Sequence, residues 1–329
     1  MQKVKAAAVQ ATPVFLDLDA TVKKAISLIE EAAGEGAGLI VFPESFIPTY
    51  PDWVWRGTVW DDVAEALYGK LLEGSVVVPG PVTETIGEAA AAAGAYVAMG
   101  VNEREEHGGT VYNALLTFGP DGSLLGKHRK LMPTGGERLV WGMGDGSTLP
   151  VYDTPFGRLS GLICWENYMP LARYALYAEG VDVWVAPTWA RGDIWVATLR
   201  HLAREGRMYV VGVASALRGA DVPQDVPGRD RLYPRDDEWM CDGYSAIVDP
   251  EGKVLAGPLV KEEGILYAEL DAARARTVRH QFDPVGHYSR PDVFQLVVDR
   301  RARPRVAEST GTDRRDRAGS ARPRRKADR

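Results

Sequence analysis

The stretch "LSGLICWENYMP", residues 159–170, holds the strongest single signal for the fold. An apolar run ends at Cys164, and a tryptophan, an acid and an amide follow at once. Residues 157–164 predict a buried strand and residues 168–180 predict a helix. A residue at such a junction lies at the carboxyl end of a strand, where α/β proteins commonly place reactive groups. The segment therefore indicates an α/β fold and makes Cys164 a candidate for chemistry.

The alternation of strands and helices continues from the N-terminus to about residue 270. The predicted strands are residues 4–10, 38–44, 95–101, 157–164, 181–187 and 208–214, the predicted helices are residues 19–33, 84–94, 168–180 and 193–206, and hairpins are predicted at residues 112–130 and 244–257. No Ser/Gly-rich linker divides residues 1–290, so we expect one domain over residues 1–300.

The charge is distributed unevenly along the chain. Residues 301–329 contain ten arginines and one lysine against four acids, a local balance of +7, whereas the whole chain carries −6. The first 300 residues therefore carry −13, which does not suggest nucleic-acid binding. The polar, basic segment 301–329 predicts a disordered tail, either solvated or an arm that touches RNA, an anionic surface or a neighbouring subunit.

The sequence favours a cytoplasmic protein without a cofactor. The N-terminal segment lacks the apolar core of a signal peptide, and no apolar run reaches the ~18 residues of a membrane span. The two cysteines, Cys164 and Cys241, do not form a disulfide framework, and Cys241 is expected to be structural. The segment "GMGDG" (142–146) lacks the spacing of a dinucleotide site, and no P-loop, HExxH or CxxC motif occurs. We therefore expect neither a cofactor nor a metal.

A catalytic thiol needs a partner, because a cysteine of ordinary pKa is only a few per cent thiolate at neutral pH. None of the five histidines lies in a recognisable cysteine–histidine pattern. Lys130, at the end of a predicted strand, is an alternative, because an ammonium ~4 Å from the sulfur would lower the thiol pKa by about three units. Glu44, which follows another strand, is a candidate base. Taken singly, Lys130 is also consistent with a charged surface residue, and Glu44 is also consistent with a helix cap. Spacing alone therefore does not decide between the catalytic and the structural roles.

Five segments, taken together, resemble the nitrilase superfamily of carbon–nitrogen hydrolases, and specifically its nitrilase branch. They are "AAAVQATPVFLDL", "FPESFIPTYP", "GKHRKLMPTGGERLVWGMGDGS", "GLICWENYMPLARYALYAEG" and "GHYSRPDVFQL", in order within residues 4–295. The resemblance implies a four-layer αββα sandwich, with Glu44, Lys130 and Cys164 as a catalytic triad and Glu137 as a second glutamate. It also implies a homodimer, formed through helices that include those after the cysteine, and larger spiral homo-oligomers.

The resemblance further implies hydrolysis of a small organic nitrile to the carboxylic acid and ammonia. The alternatives are an amidase or N-carbamoyl hydrolase with the same triad, a cyanide dihydratase, and a catalytically silent oligomeric binding protein. Cys-Trp-Glu is typical of the nitrile-hydrolysing members, and Asn167 fits a nitrilase variant of that motif.

Two groups of aromatic residues are candidates for the substrate site. The Trp165 backbone N–H is an expected oxyanion donor. Aromatic residues also follow Glu44 and the predicted strand 181–187, where they are expected either to line an apolar pocket or to pack at a subunit interface. They are Tyr50, Trp53, Trp55, Trp60, Trp189 and Trp195.

Overall fold

The computed structural model describes residues 2–58 and 60–303. Residues 304–329, most of the predicted tail, lie outside the described residues, so its predicted disorder and its boundary at residue 300 stay predictions. None of the helices in the described part of the chain is both long and apolar enough to cross a membrane.

The first half of the chain builds one sheet and the second half another. The first half contains β1 (Val4–Gln10), α1 (Leu18–Gly34), β2 (Leu39–Val41), α2 (Asp62–Glu73), β3 (Val76–Val77), α3 (Pro81–Ala93), β4 (Tyr96–Arg104), β5 (Val111–Phe118) and β6 (Leu124–Arg129). The second half contains β7 (Tyr152–Thr154), β8 (Gly157–Gly161), α4 (Pro170–Tyr177), β9 (Val183–Thr188), α5 (Asp193–Gly206), β10 (Tyr209–Ala214), β11 (Ala216–Arg218), α6 (Arg229–Leu232), β12 (Trp239–Val248), β13 (Val254–Val260), β14 (Gly264–Leu270) and α7 (Ala272–Val278).

Within the described residues, each sheet has seven strands and mixed pairing. The first has the order β14-β1-β2-β4-β5-β6 with β3 beside β4, and the second has the order β11-β12-β10-β9-β8-β7 with β13 beside β12. Because β14 returns from the second half to pair antiparallel with β1 at Val4↔Leu270, the two halves form one interlocked unit.

Side-chain alternation along the strands creates the layers. In β1, Ala6 and Ala8 face the second sheet, whereas Ala7 and Val9 face α1 and α3. This alternation is the period of two expected of a strand buried on both faces. On the other side of the molecule, α4 and α5 cover Trp184 and Val210 of the second sheet. The layers are therefore helix, sheet, sheet, helix, as the four-layer αββα prediction requires.

The segment around Cys164 differs from its prediction. Strand β8 ends at Gly161 rather than at residue 164, and Cys164 begins a 3₁₀ turn, Cys164–Tyr168. The following helix starts only at Pro170, where proline is favoured because its fixed φ suits the first helical turn. The predicted helix start at residue 168 was thus two residues too early, and a short 3₁₀ turn occupies the junction.

Candidate active site

Four predicted site residues meet in one buried group. Glu44 follows β2, Lys130 directly follows β6, and Cys164 follows β8. Glu137 lies in the 3₁₀ turn Gly135–Leu139. All four side chains are almost inaccessible to solvent. The stacked sheets therefore assemble residues that lie up to 120 positions apart in the sequence.

Lys130 is held between two carboxylates. Its Nζ donates hydrogen bonds to Glu44 Oε1 at 2.6 Å and to Glu137 Oε2 at 2.7 Å. It also lies 5.4 Å from the centre of the Trp141 ring. Burial would lower the Lys130 pKa, but Glu44 and the other anionic partners outweigh burial and raise it above the ordinary lysine value. Lys130 is therefore an ammonium in the folded protein, and the surface-charge alternative does not apply.

Glu44 is fixed by three donors. Besides Lys130, Asn113 Nδ2 donates to its Oε1 at 2.7 Å, and the backbone N–H of Trp189 donates to its Oε2 at 2.7 Å. Burial raises the Glu44 pKa, and Glu137 adds to the rise, whereas Lys130 opposes it. A carboxylate with a raised pKa is a better proton acceptor than an exposed one, which suits a general base.

Glu137 completes this group from the opposite side of Lys130. Tyr50 Oη donates to Glu137 Oε1 at 2.7 Å, and the backbone N–H of Thr134 donates to Oε2 at 2.6 Å. Tyr50 stacks on Trp189 with ring centres 4.2 Å apart and planes inclined by 5°. The carboxylate is thus satisfied and its orientation is set by neighbouring elements.

Cys164 adopts a backbone conformation that is rare for a residue with a side chain. Its φ is +53°, in the left-handed region, which costs of order 1–3 kcal/mol unless the surroundings impose it. Asn167 supplies part of that restraint, because its Nδ2 donates to the carbonyl oxygens of Leu162 at 2.9 Å and Cys164 at 2.8 Å. Trp184 Nε1 donates to Asn167 Oδ1 at 2.8 Å. Asn167 is therefore a buried brace of the turn and does not line the cavity described below.

The thiol differs from the sequence expectation. Lys130 lowers the Cys164 pKa, but burial and then Glu44 raise it, and the net result is a pKa of about 12. The expected depression of three units fails because two carboxylates already neutralise the ammonium and the sulfur is desolvated. Cys164 is therefore a thiol at rest, and a thiolate forms only if a neighbouring base takes its proton.

Cys164 opens into an apolar cavity of about 380 Å³. The residues lining it are mainly aromatic or aliphatic: Tyr50, Trp55, Thr134, Glu137, Cys164, Trp165, Tyr168, Trp189, Ala190, Arg191, Ile194 and Trp195. The predicted contacts Tyr50, Trp165 and Trp189 are among them. The Trp165 ring is about half exposed and meets Tyr168 edge-on with ring centres 5.8 Å apart.

Two of the aromatic candidates lie elsewhere. Trp53 is buried in the same apolar cluster as Tyr50, but together with the exposed Trp60 it borders a second cavity of about 330 Å³. The reason is local geometry, because the 3₁₀ turn Asp52–Trp55 buries Trp53 and leaves Trp55 beside the Cys164 cavity. The expected role of Trp53 as a substrate contact is therefore not supported by its position.

Sequence reasoning missed several residues of the site. Asn113 and Thr188 contact Glu44 and Cys164 respectively, and Glu166 and His128 form a buried pair behind the turn. Asn113 carried a usable signal, since it is a lone amide inside the mainly apolar strand "VYNALLTF". Cys241 is a buried free thiol whose Sγ lies 3.8 Å from the Trp189 carbonyl oxygen. The described residues contain no cluster of three or more histidine, cysteine or acidic side chains arranged for a metal.

The sequence matches the carbon–nitrogen hydrolase family over residues 5–280. It is 47% identical to an aliphatic nitrilase of Sinorhizobium fredii over 306 residues, which cover 91% of this chain and 96% of that protein. It is 44% identical to a nitrilase of Bradyrhizobium diazoefficiens, over 93% of this chain and 94% of that protein, and 43% identical to nitrilase 2 of Arabidopsis thaliana, over 90% and 88%.

Solved structures support the same fold. The Saccharomyces cerevisiae Nit3 protein, a member of the nitrilase superfamily, superposes with a TM-score of 0.68 at 22% identity over 87% of this chain and 97% of that one. The Xanthomonas campestris protein XC1258, a CN-hydrolase superfamily member, superposes with a TM-score of 0.67 at 21% identity, over 91% and 100%. The family match across most of the chain, together with these relatives, places the protein in the carbon–nitrogen hydrolase family, as the sequence resemblance indicated.

Proposed function

We propose that the protein is a nitrilase, which converts an organic nitrile and two waters into a carboxylic acid and ammonia. The observation that carries this proposal is the meeting of a buried thiol, Cys164, with a buried base, Glu44, and a buried ammonium, Lys130, at an apolar cavity. The similarity to nitrilases over about nine-tenths of the chain supports the nitrile as substrate.

The first step is a proton transfer within the buried group. At rest, Glu44, Lys130 and Glu137 carry a net charge of −1, which disfavours an additional anion on Cys164. Transfer of the thiol proton to Glu44 keeps the total over these three residues and Cys164 at −1, because the thiolate forms as the base is neutralised. The thiolate then attacks the nitrile carbon; the C–S bond forms, one C–N π bond breaks, and the nitrogen receives the proton held by Glu44. The product is a covalent thioimidate.

Charge that develops on the substrate nitrogen requires nearby donors. The Lys130 ammonium is one candidate, and the backbone N–H of Trp165, the residue after the nucleophile, is the other. Because Glu44 and Glu137 hold the ammonium in place and in its charged form, little reorganisation is needed when the nitrogen becomes anionic. Glu137 acts in this reaction by keeping Lys130 charged. If Glu137 formed only a structural ion pair, replacing it would affect the rate less.

Two waters complete the reaction. Glu44 takes a proton from the first water as its oxygen adds to the thioimidate carbon, and the C–N bond then breaks as ammonia leaves with protons returned by Glu44. A thioester remains on Cys164. The second water, activated in the same way, breaks the C–S bond and releases the acid, which restores the thiol. An amidase or N-carbamoyl hydrolase would enter the same sequence at the tetrahedral adduct, and cyanide is the smallest nitrile-like alternative.

The cavity and the outer surface suggest what the protein binds. Apolar walls favour an uncharged organic substituent on the nitrile. We also propose assembly into homodimers or larger spiral oligomers, because Leu171 and Ile194 on α4 and α5 are 68% and 74% exposed beside the half-exposed Trp165 and Tyr168. The basic tail is not needed for this proposal, and we assign it no nucleic acid. Two free cysteines are compatible with the reducing cytoplasm that we propose as its location.

Ammonia release from matched nitriles and amides tests the function. Wild-type protein and Cys164→Ala are incubated with aliphatic, arylaliphatic and aromatic nitriles, the corresponding amides, and cyanide. We expect acid and ammonia from nitriles with the wild type alone, and slow or no release from amides. Release from amides alone would move the protein to the amidase alternative, and equal release by Cys164→Ala would contradict a cysteine mechanism.

A further inference from the structure

Behind the catalytic group lies a buried pair that the proposed mechanism does not use. Glu166, two residues after the nucleophile, and His128, two residues before Lys130, are both almost fully buried, and His128 Nε2 lies 3.0 Å from Glu166 Oε2. Neither residue lines the cavity that contains Cys164. The two side chains therefore contact other parts of the protein and not a substrate in this cavity.

The Glu166 carboxylate connects the two segments that carry the reactive groups. Its Oε1 accepts a hydrogen bond from the backbone N–H of Leu131, the residue after Lys130, at 2.6 Å. Its Oε2 accepts from the backbone N–H of Ile163, the residue before Cys164, at 2.9 Å. One side chain therefore links the peptide adjoining the ammonium to the peptide adjoining the nucleophile.

His128 supplies the cation that compensates the buried carboxylate. Its Nδ1 faces the carbonyl oxygen of Thr148, and its Nε2 faces Glu166. Both partners are acceptors, so both ring nitrogens must carry hydrogen for the contacts to be hydrogen bonds. Although burial alone would lower the His128 pKa, Glu166 outweighs burial and raises it, in agreement with an imidazolium. The imidazolium thereby compensates the buried carboxylate, whose two oxygens accept from the two backbone groups.

We propose that Glu166 and His128 are positioning residues that set the separation and orientation of Lys130 and Cys164. The inference rests on the proposed function, since it assigns the pair a role in that reaction. A displacement of about 1 Å at reacting groups can cost ~10²-fold in rate, and two hydrogen bonds to the neighbouring peptides directly limit such a displacement. If the pair served stability alone, its loss would lower the stability of the whole protein without a specific effect on the reactivity of Cys164.

The test compares two buried carboxylates. Glu166→Gln keeps the shape, but an amide nitrogen cannot accept, so either Leu131 or Ile163 loses its acceptor. The matched control is Asp182→Asn. Asp182 is equally buried and likewise accepts from a backbone N–H, that of Arg158 at 3.0 Å, and from a cation, Arg276 at 2.8 Å. It precedes β9, about 20 Å along that strand from Thr188 at the catalytic end.

Three quantities are measured for both variants: the melting temperature, kcat and KM on a nitrile that the wild type hydrolyses, and the rate of Cys164 alkylation by iodoacetamide followed by peptide mass spectrometry. We expect Glu166→Gln to lower kcat at least tenfold with KM within threefold of wild type, and to slow alkylation of Cys164. We expect Asp182→Asn to lower the melting temperature while kcat and the alkylation rate stay within twofold.

The outcomes separate the two proposals. The positioning role would be overturned if Glu166→Gln kept kcat and the alkylation rate within threefold of wild type. It would also be overturned if Glu166→Gln and Asp182→Asn lost kcat and alkylation rate equally. If Glu166→Gln does not fold, His128→Gln takes its place. We then expect smaller losses of kcat and of the alkylation rate, and unchanged kinetics would overturn the proposal. If the wild type hydrolyses no nitrile, the proposed function fails, and the alkylation rates still decide whether the pair positions Cys164.

Discussion

Replacing Lys130 with methionine removes the one ammonium in the buried group and retains most of the side-chain volume. In the wild type its Nζ lies 2.6 Å from Glu44 and 2.7 Å from Glu137, and all three side chains are screened from solvent. The variant leaves two carboxylates facing each other in that space. We expect Lys130→Met to be both inactive and substantially less stable than the wild type.

The expected size follows from the burial of the pair. Removing one partner of a buried ion pair costs about 3–5 kcal/mol, because the remaining charge stays desolvated. Loss of Lys130 also removes the group that opposes the rise of the Glu44 pKa, so that pKa rises further. Between the unfolded pKa of about 4.3 and the raised folded pKa, the native variant binds more protons than its unfolded chain. Its stability therefore falls, relative to wild type, as the pH rises through this window.

Urea unfolding of both proteins at pH 5 and pH 8, at one protein concentration, measures this difference. The control is Lys130→Met with Glu137→Gln, which restores the net charge of −1 and is expected to recover part of the lost stability. Both variants should lose at least the ~10²-fold in kcat that is typical of removing one oxyanion donor. A free energy of unfolding within 1 kcal/mol of wild type at pH 8, with no dependence on pH, would refute the reasoning.

Three further predictions concern the neighbours of this group. Glu44→Gln should lower kcat by ~10²-fold or more, the range of general-base catalysis, and wild-type rates would reassign the base. Asn167→Asp places an acceptor against the carbonyl oxygens of Leu162 and Cys164, so we expect a loss of about 1–3 kcal/mol in the free energy of unfolding. An unchanged urea midpoint would contradict the role of Asn167 as a brace of the turn. Because the His128 pKa is raised, the stability that this imidazolium contributes is complete below pH ~6.5 and is lost as the pH rises through the folded pKa. The difference in free energy of unfolding between wild type and His128→Gln should therefore decrease from pH 6 to pH 9. An increase in that difference would contradict an imidazolium.

The strands and helices could be predicted because their signals are local, whereas the four-layer arrangement was implied by the family resemblance. Five of the seven residues in the run "VKAAAVQ" are apolar, and the helix-spaced Val22, Ile26 and Ile29 cover one of its faces. Such periodicities identify strands and helices before any tertiary contact is known. The ends of elements were predicted less well, and β8 shows the reason. The apolar run continues to Cys164, but the turn that stops the strand depends on Glu166, which accepts from the Ile163 N–H, and on Asn167, which donates to the Leu162 carbonyl oxygen.

The candidate residues of the site could be predicted, whereas their electrostatics could not. Glu44, Lys130 and Cys164 each follow a strand, which made them candidates, and the family resemblance brought them together. The protonation state of Cys164 depends on burial and on the sum of three neighbouring charges, and these exist only in the folded chain. The aromatic residues show the same limit, because the 3₁₀ turn at Asp52–Trp55 decides that Trp55, and not Trp53, borders the cavity.

The central claim is that Cys164 bonds covalently to the carbon of a nitrile during turnover. Acid quenching of the wild-type protein while it hydrolyses a nitrile, followed by mass spectrometry of the peptides, tests this claim most directly. The account predicts a mass increase equal to the thioimidate or the acyl group on the peptide that contains Cys164, and none on the peptide that contains Cys241. Sustained turnover with Cys164 unmodified under these conditions, or an adduct on another residue, would contradict it.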